Sequence, residues 1–225
     1  LRQANSEITK ERDLSEELLL NILPAETATE LKEKGFADAK EFEKASILFA
    51  DIKGFTEKSS NLTAAELVAE IDTCFKAFDQ IISKFEIEKI KTIGDAYMAA
   101  AGLPNPDLAT ATDMVKAALE MQKFIADRKI ENQKKDKAFF EIRVGIHTGP
   151  VIAGIVGVKK FQYDIWGDTV NIASRMETNC EVGKVNISSA TYELISENSP
   201  FEFEKRGQVE VKGKGMMQMY YVSFA

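Results

Sequence analysis

A mixed α+β fold, with helices laid on one side of an antiparallel sheet, is what the sequence predicts, and three features predict it. Ala45–Ile52 is an apolar run, as in a strand buried on both faces. Apolar residues then recur at helical spacing in Leu67, Ile71, Cys74, Phe75, Phe78 and Ile82. Further on, Phe140, Ile142, Val144 and Ile146 alternate with Glu141, Arg143, Gly145 and His147, the period of a half-buried strand with Arg143 on its second face.

The elements follow in order. Residues 1–23 are charged and helical, with no glycine or proline before Pro24. A heptad frame places Leu1, Ala4, Ile8, Leu18 and Ile22 at core-type positions, but also Glu11 and Ser15. That seam suits a short parallel coiled coil or an unpaired amphipathic connector. Pro24 stops the helix, and Ala25–Lys34 forms a second one ending at Gly35. After the first buried strand, Thr63-Ala64-Ala65-Glu66 is a capping box opening a long helix. Glu88–Thr92 and Ala96–Ala101 read as two strands joined tightly at Ile93-Gly94-Asp95. A second long helix carries Ala111, Met114, Val115, Ala118 and Phe124, and a polar loop covers 131–137. The alternating strand through Ile146 comes next, and Val151–Val156 reads as another strand. The order is βαββαβ, ferredoxin-like in kind, with a C-terminal extension.

Bulk properties bound the partners. The 225 residues divide into a helical segment, 1–41, and one globular domain, 42–225, large enough for a proper core. Hydrophobic residues make up 44%, ordinary for a globular chain, and a net charge of −7 offers no basic footprint for nucleic acid. A polyanion would have to be met by positive groups concentrated in one pocket. Cys74 and Cys180 lack metal or redox spacing, which favours a reducing, cytoplasmic setting. No apolar run approaches the roughly 18–20 residues of a membrane span. The chain opens at Leu1 inside a helical pattern, so it reads as a fragment of a longer protein that could carry an upstream sensor or membrane domain.

Two aspartates stand where apolar runs break into glycine: Asp51 in Phe49-Ala50-Asp51-Ile52-Lys53-Gly54-Phe55-Thr56, and Asp95 in Lys91-Thr92-Ile93-Gly94-Asp95-Ala96-Tyr97-Met98. A carboxylate at a buried strand end costs several kcal/mol unless its charge is compensated. Two hard oxygen ligands beside a glycine turn with free N–H groups suit Mg²⁺ carrying a phosphate chain. Asn171 and Arg175 lie four apart and share one helix face. The four residues point to a nucleoside triphosphate and a reaction at phosphorus.

Those two segments, with Arg143-Val-Gly-Ile-His-Thr-Gly149 and Tyr163-Asp-Ile-Trp-Gly-Asp-Thr-Val-Asn-Ile-Ala-Ser-Arg-Met176, closely resemble the class III nucleotidyl cyclases over residues 42–224. The helix ending in Leu18-Leu19-Leu20-Asn21-Ile22-Leu23-Pro24 resembles the signalling helix that often precedes such domains. The resemblance implies that Asp51 and Asp95, with the carbonyl of Ile52, hold two Mg²⁺ ions, with Mn²⁺ able to substitute. It places Arg143, Arg175 and Lys212 on the phosphates, with Lys214 the weaker candidate of the Lys-Gly-Lys-Gly run. Asn171 would orient the ribose, and backbone N–H groups of Lys53, Gly54, Phe55 and Thr56 would cradle the β- and γ-phosphates. It also implies a head-to-tail homodimer with two composite sites. Asp51, Asp95 and Arg143 would come from one subunit, and Lys91, Asp164, Asn171, Arg175 and Lys212 from the other.

The resemblance also places Lys91 and Asp164 at the base, and their chemistry bears on which base. Lys91 only donates and an ionised Asp164 only accepts, which matches the acceptor and donor edge of adenine and opposes that of guanine. The expected activity is therefore an adenylate cyclase. Guanylyl cyclase activity and a non-catalytic dimerisation module are the rival readings, and Lys91 paired simply with Asp51 or Glu88 is the structural one. His147, the single histidine, is expected to pack in its strand–turn rather than act as a base. Trp166 is expected at a subunit contact or near the helix start, and Asp168 as an N-cap.

Overall fold

The computed structural model describes residues 2–55, 62–157, 160–211 and 213–225, with the side chains of 2–8 left aside. Thr56 and Lys212, both expected at the site, lie outside the described residues. Six helices and eight strands are described: α1 (Arg2–Leu20), α2 (Ala25–Lys34), β1 (Lys40–Ile52), α3 (Ala64–Ser83), β2 (Glu88–Ile93), β3 (Ala96–Ala101), α4 (Ala111–Lys134), β4 (Ile142–Val156), β5 (Gln162–Trp166), α5 (Asp168–Thr178), β6 (Val185–Ser188), α6 (Ser189–Ile195), β7 (Phe201–Val211) and β8 (Gly215–Phe224). Among these helices none is long and apolar enough to cross a membrane.

The chain forms two compact units, one of Leu1–Glu41 with Ile152–Trp166 and the other of Phe42–Val151 with Gly167–Ala225. In the smaller unit, α2 begins after Pro24 and ends at Gly35, whose left-handed backbone (φ 79°) returns its N–H to the Leu31 carbonyl. Lys32 pairs with Glu16 of α1 at 2.9 Å. Leu14, Leu18 and Ile22 remain exposed on and just beyond α1. The outer end of β4 pairs antiparallel with β5, from Ile152 opposite Trp166 to Val156 opposite Gln162.

The larger unit holds the βαββαβ core, α3 and α4 included. Its sheet runs β2-β3-β1-β4-β6-β8-β7, with the ferredoxin-like order β2-β3-β1-β4 at one side and the C-terminal extension at the other. Leu48, Ala50 and Ile52 of β1 join Tyr97 and Ala99 of β3, Ile142, Val144 and Ile146 of β4, and the buried stripes of α3 and α4 in one core. Ile47, Phe49, Met98 and Ala100, which point the other way, are buried as well, so β1 and β3 are covered on both faces. The expected capping box is present: Thr63 accepts from the Glu66 N–H, and Glu66 accepts from the Thr63 N–H. Thr110 and Asp113 form a second one at the start of α4.

Two expectations need correction. The strand after Ile146 is not a separate element, because β4 runs unbroken through Gly149-Pro150. Pro150 falls between the residues paired to β6 (144–146) and those paired to β5 (152–156), so its missing N–H breaks neither ladder. The core pairs β1–β3 and β2–β3 are antiparallel, as expected, and the extension adds a parallel pair, β4 with β6. The helix α4 continues to Lys134, into the expected polar loop. Buried Asn132 donates to the Ala138 carbonyl at 2.8 Å and ties its end.

The core helices α3 and α4 lie on one face, as expected, and α5 of the C-terminal extension lies on the other. Ile142, Val144 and Ile146 of β4 face α3 and α4, whereas Gly145 faces the opposite way, onto α5. A Cβ at Gly145 would sit 1.9 Å from the Glu177 nitrogen and 2.4 Å from the Met176 carbonyl carbon, both backbone atoms of α5. Only glycine admits that approach. Gly149 repeats it near the helix start, where an added Cβ would lie 2.7 Å from Thr169 Oγ1, which donates to the Pro150 carbonyl at 2.6 Å. Buried Asn186 of β6 donates to the Met176 carbonyl at 2.8 Å and fixes the far end. Replacing Gly145 with Ala must push α5 off β4. The expected cost is roughly 3 kcal/mol or more, a drop of about 6–12 °C in Tm by calorimetry; a Tm unchanged from the parent chain would refute the packing described.

Candidate active site

The register of the first two buried strands sets the site. Asp51 stands opposite Ala96, so the Asp95 turn, carried by Gly94 at φ 62°, lies beside the end of β1. Both carboxylates are thereby held at one end of neighbouring strands. Burial pushes the Asp95 carboxyl above its usual range, and the negative charge of Asp51 adds to the rise while Arg143 opposes it. The two acids feel each other. Ile52, buried, places its carbonyl next in the chain, and Gly54 follows with a left-handed backbone (φ 67°).

Arg143 reaches this pair from β4. Its Nη2 donates to Asp51 Oδ2 at 2.8 Å, and the same nitrogen lies 2.8 Å from Glu177 Oε1. The Glu177 contact is an ion pair not aligned as a hydrogen bond, and Arg143 Nε is buried without a partner. Burial pushes the Glu177 carboxyl up to about 7 against the pull of Arg143. Sequence reasoning missed Glu177. A signal was present: Thr169, Ala173 and Met176 mark the buried stripe of α5, and Glu177 falls on it.

Asn171 and Arg175 lie on the other side of the same helix, Asn171 exposed and Arg175 half-buried. Glu177 follows Arg175 by two residues, about 200° around the axis. Asn171 and Arg175 therefore turn away from Asp51 of their own chain. Asp168 is not the N-cap. Gly167, at φ 139°, takes that place, and Asp168 begins the helix with its carboxylate paired to Lys214.

Lys91 stands half-buried on β2, the strand at the sheet edge, paired with Met98 just past a bulge at Ile90. Asp164 belongs to the smaller unit, opposite Gly154, where its Oδ1 accepts from the Ile165 N–H at 2.9 Å. Phe55 packs on the core, 6.2 Å from the Phe140 ring. The expected phosphate cradle loses one donor, because the Lys53 N–H donates to the Glu141 carbonyl at 2.9 Å. Trp166, at the end of β5, is exposed.

Among the described residues, no group of three or more His, Cys, Asp or Glu side chains is arranged to hold a metal ion. Two neighbouring carboxylates and a carbonyl form a partial set of hard oxygen donors. That partial set fits Mg²⁺, which keeps several waters and completes its shell with substrate phosphates.

Comparison with known proteins shows the family. A family model described as the adenylate and guanylate cyclase catalytic domain matches residues 37–224. An adenylate cyclase of Mycobacterium tuberculosis is 40% identical over 221 residues, which cover 98% of this chain and 48% of that protein. The chain thus spans about half the length of this relative. The adenylyl cyclase CyaB from P. aeruginosa aligns with a TM-score of 0.77 at 30% identity, over 84% of this chain and 97% of that one. The guanylate cyclase domain of RhGC from Catenaria anguillulae, solved in complex with GTP, aligns with a TM-score of 0.73 at 34% identity, over 82% and 98%.

His147 plays no part in the acid cluster. It lies buried within β4, with Nδ1 2.6 Å from Ser188 Oγ, and burial lowers its pKa from 6.5 to about 4. The unfolded chain accepts a proton there below about pH 6.5 that the folded chain refuses until about pH 4, so stability falls as pH drops through that window. Between pH 7.5 and 4.5, urea unfolding of His147→Gln should show about 2–3 kcal/mol less loss than the parent chain. Equal losses would mean that the histidine titrates normally.

Proposed function

Because the chain belongs to the family of adenylate and guanylate cyclase catalytic domains, the class III nucleotidyl cyclases, we propose that it converts ATP to 3′,5′-cyclic AMP and pyrophosphate. The observation that carries this reading is the two-sided use of α5. One face brings Glu177 to Arg143 and Asp51, while Asn171 and Arg175 point outward, away from the acids they must serve. A second copy of the chain, placed head to tail, resolves the mismatch and gives two composite sites.

Asp51, Asp95 and the Ile52 carbonyl would hold two Mg²⁺ ions, or Mn²⁺ in their place. When bound, the ions lower the pKa of the ribose 3′-hydroxyl and offset charge on the triphosphate. The protein supplies orientation and further charge. Asn171 of one subunit fixes the ribose so that its 3′-oxygen lines up with the α-phosphorus. Arg175 meets the negative charge that grows on the α-phosphate as the new bond forms and pyrophosphate leaves. Arg143, Lys212 and the amides of Gly54, Phe55 and Thr56 receive the β- and γ-phosphates. No histidine is needed, in keeping with the burial of His147.

Lys91 as donor and Asp164 as acceptor select adenine by hydrogen-bond pattern. The likeness to a guanylate cyclase domain solved with GTP makes the guanine nucleotide the reading to test against. With Mg²⁺ or Mn²⁺, ATP should be turned over about tenfold or more faster than GTP, the scale set by opposed polar groups in a base pocket. GTP turnover equal to or above that of ATP would contradict the assignment of Lys91 and Asp164.

Composite sites make a second prediction. Asp51→Ala and Asn171→Ala should each lose about a hundredfold or more in kcat. Mixed in equal amounts, they should regain about a quarter of the parent activity, since half of the exchanged dimers are mixed and each has one intact site of two. A mixture as inactive as its parts would argue against sharing.

A further inference from the structure

We propose that Glu177 is a positioning residue: it holds the Arg143 guanidinium so that Asp51 can give up that partner to a divalent cation. The inference rests on the metal role of Asp51 and Asp95 argued above, and adds a residue which that role does not require.

Arg143 is claimed twice through one nitrogen. Nη2 lies 2.8 Å from Asp51 Oδ2 and 2.8 Å from Glu177 Oε1, and Nη1 reaches the Thr178 carbonyl at 3.5 Å. Asp51 and Glu177 both contact this one guanidinium, and Asp95 feels its charge. A cation taken up by Asp51 and Asp95 would compensate those two acids, leaving Arg143 and Glu177 as a matched pair. Without Glu177, the guanidinium would have Asp51 as its one close carboxylate and would compete with the ion for it.

Glu177 cannot easily drift from this post. Its backbone nitrogen is the atom that Gly145 admits against β4, and its side chain is 10% exposed beside an arginine that is 18% exposed. A shift of α5 would have to break the Asn186 hydrogen bond to Met176 as well. The carboxylate is thus carried by the element whose opposite face bears Asn171 and Arg175, so one helix serves the acid cluster of its own chain and, in the dimer, the substrate of the other.

The test uses the whole chain and Mn²⁺ alone, without nucleotide, with free ion counted by electron paramagnetic resonance. Glu177→Gln keeps the size and removes the charge. It should bind Mn²⁺ about tenfold more weakly, the scale of losing one opposite charge a few ångströms away. Adding Arg143→Gln to that variant should restore binding to the parent level or better, because the competitor is gone. A structural role alone would lower stability in thermal unfolding and would not be reversed by the second change. Arg143→Gln alone provides a variant that keeps Glu177, and it should bind Mn²⁺ at least as tightly as the parent chain. The proposal is overturned if Glu177→Gln binds Mn²⁺ like the parent, if the double variant binds no better than Glu177→Gln, or if Arg143→Gln binds more weakly than the parent. A parent chain that binds no Mn²⁺ at millimolar concentration would overturn the metal reading itself, a result distinct from any difference among variants.

Discussion

The bare backbone of Gly145 is the constraint on which the arrangement turns. Side chains elsewhere on β4 build the core with α3 and α4, but at this position the strand must lie against the backbone of α5. The approach sets which face of the helix is buried, and the rest follows from a 100° step per residue. Ala173, Met176 and Glu177 go inward; Asn171 and Arg175 go outward. One missing methyl group thus fixes both the acid cluster of a subunit and the groups it offers to another.

The acid cluster is costly in isolation. Asp51, Asp95 and Glu177 are partly or largely buried, and among the described residues Arg143 is the cation that contacts Asp51 and Glu177. Burial first, and then the neighbouring acids, push the Asp95 and Glu177 carboxyls up. Such strain is usual where a protein expects a charged ligand, since the missing charge arrives with it. Buried hydroxyls near His147 show the contrasting case. Ser46, Thr148, Thr191 and Ser188 hydrogen-bond to one another in sequence, so this polar group satisfies itself within the fold.

Much of this was legible in the sequence where the pattern is local. The apolar run of β1, the Thr63 capping box and the stripe of α3 each follow from periods of two or 3.6. The placement of Asp51 beside Asp95 followed from two strand ends and one glycine turn. What escaped depends on contacts between distant segments. Nothing local told that Gly145 spares α5 a clash 32 residues later, which is what seats that helix against β4. Val151–Val156 reads as a strand of its own, yet the ladder needs no donor from Pro150 and β4 continues through it. Glu177 was passed over because a helical acid is ordinarily solvated; its position on the buried stripe was the overlooked clue. The Lys53 amide was counted as a phosphate donor because its pairing with Glu141, just before the neighbouring strand β4, has no sequence signature.

The account stands or falls on two aspartates gathering cations for a substrate completed by a second subunit. A crystal structure with Mn²⁺ and a non-cyclising ATP analogue, phased for anomalous signal, reads this directly. The expected density places Mn²⁺ about 2.1 Å from oxygens of Asp51 and Asp95, with Asn171 and Arg175 of the partner on the same nucleotide. Ions absent from both carboxylates, or a nucleotide held by Asn171 and Arg175 of the chain that supplies Asp51, would contradict it.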